Sequence, residues 1–161
     1  MRVIISGPAR WGNKSKRNPE RAQLAKDWLH AQILILEQQE GLLAASSLHL
    51  GLDTFFAALC IERGIPFHAI LACKDQDLFW GAKEREVFEY LTKQAEEIVY
   101  ISDEPYAPGC IAPQAEAIAE WAVKEDDSVI LLMRWGPLGK IQRDRVAIAK
   151  EYGTLVKTGR L

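Results

Sequence analysis

At 161 residues, with 48% apolar and 26% charged side chains, the chain has the length of one domain and enough apolar surface to form a core without disulfide or metal staples. Its 20 basic and 22 acidic residues leave a net charge of −2, which excludes the broad basic footprint of a protein that coats duplex DNA or an anionic membrane. Three cysteines (Cys60, Cys73, Cys110) without C-x-x-C spacing exclude a disulfide framework and a structural zinc site, and the apolar run before Ser6-Gly7-Pro8 is too short for a signal peptide, so a cytoplasmic protein is expected.

Arg2–Ser6 is β-branched and closed by Gly7-Pro8, which predicts a buried strand. Residues 7–18, rich in Gly, Pro, Asn and Ser, predict a long loop; Asn18-Pro19 then supplies a cap and a first-turn proline for a helix to about Gln39. Leu24, Trp28, Ala31 and Ile35 recur at helical spacing, with Ala25, Leu29, Ile33 and Leu36 widening the stripe until Gly41 ends it. Leu42–Ser46 follows as a second strand. The alternation then repeats through helix Leu52–Arg63, strand Pro66–Ala72, helix Trp80–Gln94 and strand Glu97–Ser102. A helix opened by Pro113, strand Ser128–Met133, helix Ile141–Tyr152 and a short edge strand Thr154–Lys157 complete the chain.

Strands that alternate with helices in this way, and are apolar almost throughout, predict a parallel sheet covered on both faces. The expected fold is a single α/β domain over residues 1–161, Rossmann-like and doubly wound, with five or six mainly parallel strands. No linker, repeat or low-complexity tract divides it.

In an open α/β sheet, ligands bind beyond the carboxyl ends of the strands, so the segments after each strand are where chemistry is sought. After the first strand come Ser6, Gly7, Arg10 and Trp11: an arginine suited to phosphate and an indole suited to stacking on a base, with a plain glycine turn and solvated Lys14, Lys16 and Arg17 as the alternative. After the second, Gly51, Asp53 and Thr54 open a helix whose N-terminal amides attract anions and whose aspartate suits a ribose hydroxyl; a simple N-cap is the alternative. Lys74, Gln76 and Trp80 follow the third strand, and Ser102, Tyr106 and Gly109 the fourth. Arg134, Gly136, Gly139 and Lys140 follow the fifth; they lack the spacing and the hydroxyl of a P-loop but suit an anion held by backbone amides.

The usual catalytic sets, G-x-S-x-G and H-E-x-x-H, are absent, and neither a metal site nor a cofactor is expected. His30 and His68 lie inside elements and read as structural; His49 is the histidine in a loop at the binding edge, and Cys73 reads as a small core residue. Should a reaction be catalysed, Asp53, Asp75 and Glu104 are the carboxylates to consider.

From Gly51 to Cys110 the chain resembles the YpsA-like branch of the SLOG superfamily, which also holds the LOG phosphoribohydrolases and the Smf/DprA proteins. The resemblance is carried by Gly51-Leu52-Asp53-Thr54, Gly64-Ile65-Pro66, Gln76 with Trp80, Tyr90-Leu91, Ala95, and Val99-Tyr100-Ile101-Ser102-Asp103 ending at Pro105-Tyr106. It implies a Rossmann-like domain that binds nucleotides or nucleotide-derived small molecules, often as a dimer. The LOG motif P-G-G-x-G-T-x-x-E is matched only by Gly136-Pro137-Leu138-Gly139-Lys140, without its threonine or glutamate, which bears against phosphoribohydrolase activity. An Arg-Asn pair of the family is likewise missing from the helix around Ala115–Ala119.

The leading functional expectation is therefore a sensor or carrier that binds a nucleotide-derived small molecule at the strand ends. The alternatives are a hydrolase or transferase acting on an N-glycosidic or phosphoester bond of a nucleotide, and an oligomeric interaction module with a vestigial pocket. The expected partners are that small molecule and a second copy of the chain, since the helix at residues 20–39 is apolar beyond one stripe, including Leu34. Duplex DNA and membranes are not expected.

Overall fold

Six runs of four to six residues, most of them apolar, take up extended backbone and lie side by side, all parallel. The computed structural model describes residues 1–7, 19–124, 127–134 and 140–160. In chain order the elements are β1 (Arg2–Ser6), α1 (Pro19–Leu36), β2 (Leu43–Ser46), α2 (Leu52–Glu62), β3 (Phe67–Leu71), α3 (Ala82–Gln94) and β4 (Glu97–Tyr100). A short 3₁₀ turn, Pro108–Cys110, leads into α4 (Ile111–Val123), followed by β5 (Val129–Arg134), α5 (Lys140–Glu151) and β6 (Leu155–Arg160).

The strand order is β4-β3-β2-β1-β5-β6. The chain steps outward from β1 to β4, then returns across the sheet to β5 on the other side of β1. Because a parallel crossover is right-handed, reversing the direction of travel moves the connecting helices to the opposite face. One core accordingly holds Val3, Ile5, Val129, Leu131 and Met133 under Leu29 and Ile33 of α1, Phe56 of α2 and Leu91 of α3. The other holds Ile4 and Ile130 against Ile118 of α4 and Ala149 of α5. The two-residue period of β1 and β5 thus feeds both cores, as expected of a doubly wound α/β domain with six parallel strands.

Differences from the sequence reading lie at the ends and on one helix face. α4 begins at Ile111, two residues before Pro113, which sits in the first turn where its missing N–H has no intrahelical partner to lose. β6 runs to Arg160 because β5 offers a six-residue ladder, from Val129↔Leu155 to Arg134↔Arg160. On α1 the buried line is Ala22, Ala25, Leu29, Ile33 and Leu36, whereas Leu24 and Ile35 are both 56% exposed. Trp28 lies beside that line and packs onto β6 at Gly159, where an added Cβ would stand 2.8 Å from the indole ring. Among the described residues, no helix is long and apolar enough to cross a membrane.

Candidate functional site

The carboxyl ends of β1, β2 and β3 meet the N-terminal turns of α2 and α4, and the backbone there is shaped by short side chains. A Cβ on Gly7 would lie 2.6 Å from Leu52 Cδ2 and 3.2 Å from its Cβ, so glycine lets β1 leave the sheet directly against the first turn of α2. The β2–α2 connection holds Leu48 at φ 52° with its side chain fully buried, and Gly51 at φ 110°. Such conformations cost a leucine of order 1–3 kcal/mol and persist only where surrounding contacts over-determine them. Here Ser46 Oγ accepts the Leu48 N–H at 3.1 Å and donates to the Asp53 carbonyl at 2.9 Å. Thr54 Oγ1 accepts the Gly51 N–H at 3.1 Å and donates back to the Gly51 carbonyl at 2.9 Å.

Beneath this connection lies a buried network of neutral amides. Gln76 Oε1 accepts the Ala72 N–H at 2.9 Å, and its Nε2 donates to the Ser47 carbonyl at 2.9 Å. Gln114, on the first turn of α4, donates from Nε2 to the Ile70 carbonyl at 2.7 Å and to Gln76 Oε1 at 3.0 Å. Its Oε1 lies 2.7 Å from His49 Nε2. Gln76 and Gln114 are 2% and 1% exposed, so these buried hydrogen bonds tie the ends of β2 and β3 to α4, beside the apolar contacts of Ile118 and Ala122 with Ala45 and Ile70.

Charge is used sparingly. Asp53 accepts a hydrogen bond from the Ser47 hydroxyl. Arg145 of α5 is buried; its Nη1 donates to the Ile5 carbonyl at 2.9 Å and its Nε to the Ala115 carbonyl at 3.4 Å. Burial lowers the pKa of that guanidinium from its ordinary value, and the negative charge of Asp53 acts in the opposite direction. Ser6, next along β1 and on the same face as Arg145, is fully buried, and its hydroxyl has no hydrogen-bond partner among the described residues.

The other sequence-selected residues fall around this centre. Lys74 is exposed with its ammonium 6.0 Å from the Tyr100 ring centre. The Tyr106 N–H donates to Asp75 Oδ1 at 2.9 Å, and its ring meets Phe79 edge-on, tying the β3 and β4 exits together. Trp80 packs edge-on against Phe88 of α3, with ring centres 5.3 Å apart. Ser102 caps its own turn by accepting the Glu104 N–H at 3.0 Å, leaving Glu104 exposed, as is Gly109. Lys140 pairs with Asp144 at 3.1 Å on the surface of α5. Desolvation, followed by the hydrogen bond to Asp75 and its charge, pushes the Cys73 thiol up to about 11. Arg10, Trp11, Gly136 and Gly139 lie outside the described residues, and of Arg134 only the backbone, closing β5, is described.

Gln114, Ser47 and Arg145 were not among the residues selected from sequence, and His49 was noted without a role. Gln114 and Arg145 carry a usable signal: each is a polar residue at a core register. Gln114 precedes Ile118 by one turn on α4, and Arg145 precedes Ala149 by one turn on α5. A long polar side chain in such a place needs buried partners.

No protein-family model matches the chain, and no curated protein matches it. Among solved structures it is similar to DNA processing protein A from Helicobacter pylori, studied for its mode of binding single-stranded DNA, with a TM-score of 0.65 and 14% identity over 98% of this chain. It is also similar to DNA processing protein A (DprA) from Streptococcus pneumoniae, with a TM-score of 0.62 and 16% identity over 98% of this chain. The chain spans 64% and 49% of those two chains, less than two thirds of either. At such identities the likeness is one of fold. It agrees with the expected Rossmann-like fold and does not single out the YpsA-like branch. It also corrects the expected partners. A nucleotide-derived small molecule, with duplex DNA the nucleic acid set aside, is too narrow for a fold whose Helicobacter pylori representative binds single-stranded DNA, and the second copy of the chain finds no support. The physical reason is that net charge averages over the whole surface, whereas a strand of nucleic acid meets only one edge of it.

Proposed function

We propose that the carboxyl edge of the sheet binds single-stranded nucleic acid, taking nucleotide units beside the exits of β1 and β5. The observation that carries this reading is the composition of those exits. The first contains Arg10-Trp11-Gly12 and the second Arg134-Trp135-Gly136, the same triplet after two strands that are neighbours in the sheet. Residues 7–18 and 134–140 together hold Arg10, Lys14, Lys16, Arg17, Arg134 and Lys140 and no acidic residue, in a chain whose net charge is −2. Guanidinium groups pair with phosphate in two-pronged fashion, and an indole stacks on any base, which gives affinity without sequence preference. The fold shared with the Helicobacter pylori protein supports the same class of ligand. Three free thiols, at Cys60, Cys73 and Cys110, suit a cytoplasmic setting.

Fluorescence anisotropy with a labelled twelve-nucleotide oligothymidylate tests this. Binding is expected to weaken with salt on a log–log slope near −0.7 for each phosphate neutralised, and a duplex of equal length is expected to bind less tightly. Arg10→Ala and Arg134→Ala should each cost roughly tenfold in affinity and flatten the salt slope by about one contact. Absence of binding at about 100 µM protein in low salt, or affinity unchanged in the double variant, refutes the reading.

A further inference from the structure

His49 stands on the β2–α2 connection, half-buried, and the buried network determines where its proton is. The assignment propagates from two backbone groups. The Ala72 N–H can only donate, so the atom of Gln76 that receives it is the carbonyl oxygen. The Ile70 carbonyl and that Gln76 oxygen can only accept, so the atom of Gln114 between them is the amide nitrogen. The remaining atom of Gln114 is therefore its oxygen, and the His49 nitrogen 2.7 Å away, Nε2, must carry hydrogen. In neutral His49 the other nitrogen, Nδ1, is then a bare acceptor. It has no hydrogen-bond partner among the described residues, and it is not among their buried unpartnered atoms, so it opens to solvent from the connection that stands at the carboxyl edge.

We propose that His49 is a ligand-contacting residue of the strand-end site, an imidazole held through Nε2–H so that Nδ1 faces the bound nucleic acid strand. The inference rests on the reading of that edge as a single-strand site and adds a residue and a proton to it. Neutral Nδ1 can only accept, from a base N–H for example, and it repels the acceptor-only oxygens of a phosphate. A proton on Nδ1 makes it a cationic donor that a phosphate takes directly. Strand binding is therefore accompanied by proton uptake. The sign is fixed: a phosphate beside the ring favours the charged form, so the added affinity is present at low pH and lost as pH rises.

The ionisable groups on the surrounding segments are Asp53 at the start of α2, Cys73, Lys74 and Asp75 at the exit of β3, Cys110 and Glu116 at the start of α4, and Arg145 on α5. None of these types ordinarily titrates between pH 6 and 8, whereas a histidine does. The other histidines are engaged elsewhere, His30 with Arg63 and His68 with Glu97 and Trp121.

The test combines a ligand-free measurement with a binding one. Nitrogen-15 spectra of the free protein at pH 8 should show His49 as the Nε2–H tautomer, and diethylpyrocarbonate should modify it at the open nitrogen. A Gln114→Leu variant, which removes the acceptor, should release the tautomer preference. The affinity of wild type for a twelve-nucleotide oligothymidylate should rise roughly three- to tenfold from pH 8 to pH 6, the most one proton allows being about tenfold per pH unit. His49→Gln keeps a donor toward Gln114 but has no nitrogen at the Nδ1 position, so it should fold normally and lose most of that rise. A proton found on Nδ1, or a His49→Gln variant whose pH profile matches wild type, overturns the proposal. Should wild type bind no oligonucleotide at any pH, the single-strand reading fails by itself; the tautomer and modification results then still decide whether His49 presents an open Nδ1 there.

Discussion

Replacing Gln114 by leucine removes the centre of the amide network while nearly conserving volume, so its cost measures the hydrogen bonds alone. Gln114 is 1% exposed; it donates to the Ile70 carbonyl at 2.7 Å and Gln76 Oε1 at 3.0 Å, and accepts from His49 Nε2 at 2.7 Å. Four groups lose a partner, but unequally. Gln76 Oε1 keeps the Ala72 N–H, the Ser47 carbonyl loses a 3.3 Å bond but keeps Gln76 Nε2, and half-buried His49 can turn toward water, whereas the Ile70 carbonyl loses its side-chain partner inside the protein. One orphaned buried acceptor at about 1–3 kcal/mol, plus three weakened bonds near 0.5–1 kcal/mol each, gives roughly 2.5–6 kcal/mol. At ~2–4 °C per kcal/mol for a domain of this size, Tm should fall by roughly 5–24 °C. Urea titration followed by circular dichroism gives the free energy directly, and Gln23→Leu, on the exposed face of α1, serves as the control for glutamine loss. A Gln114→Leu variant within about 0.5 kcal/mol of wild type would refute the view that these amides hold β2, β3 and α4 together.

Other perturbations probe the same framework. Arg145→Met keeps the aliphatic stem but leaves the Ile5 and Ala115 carbonyls and the Asp53 charge uncompensated, so a loss of about 3–5 kcal/mol is expected by urea titration. Desolvation pushes the Cys60 thiol up to about 12. The stability this contributes is complete below the unfolded thiol value near 8.5 and declines as pH rises toward the folded one, by up to ~1.4 kcal/mol per pH unit, a slope that Cys60→Ala should lessen. Gly159→Ala places a methyl 2.8 Å from the Trp28 ring and should cost about 1–3 kcal/mol, with Trp28→Leu in the same chain recovering part of it.

The architecture was legible because two periodicities carry it. Two-residue alternation of cores along β1, with Val3 and Ile5 on one side and Ile4 on the other, requires apolar residues at successive positions, and the sequence has them. The inward line of α1 was harder. Its apolar residues cover more than half the helix, so periodicity alone did not choose between the Leu24–Ile35 line and the Leu29–Ile33 line; packing in the core buried the latter and left Leu24 and Ile35 exposed. At the site, residues named for their place after a strand could be found, because topology fixes that place. Ser47 directly follows β2 and lay within reach of that rule; Gln114 and Arg145 did not, since each reaches the strand ends from within a helix, Arg145 touching Ile5 across 140 residues.

Those late-found residues also bear on the proposal that a chain of net charge −2 binds a polyanion at this edge. The base of the edge is made of neutral donors and acceptors, Ser46, Ser47, Gln76 and Gln114, which stay rigid without counter-ions and set up no charge repulsion among themselves. The single buried cation, Arg145 among the described residues of that base, is spent on backbone carbonyls and balanced by Asp53. Apart from exposed Lys74 after β3, the other basic residues of the edge belong to the β1 and β5 exit sequences, which lie outside this network of amides. Salt therefore should act on binding and hardly at all on stability. If raising ionic strength from about 50 to 500 mM lowered Tm in step with oligonucleotide affinity, the cations would have to be part of the folded framework, and this division between a neutral base and basic exits would be wrong.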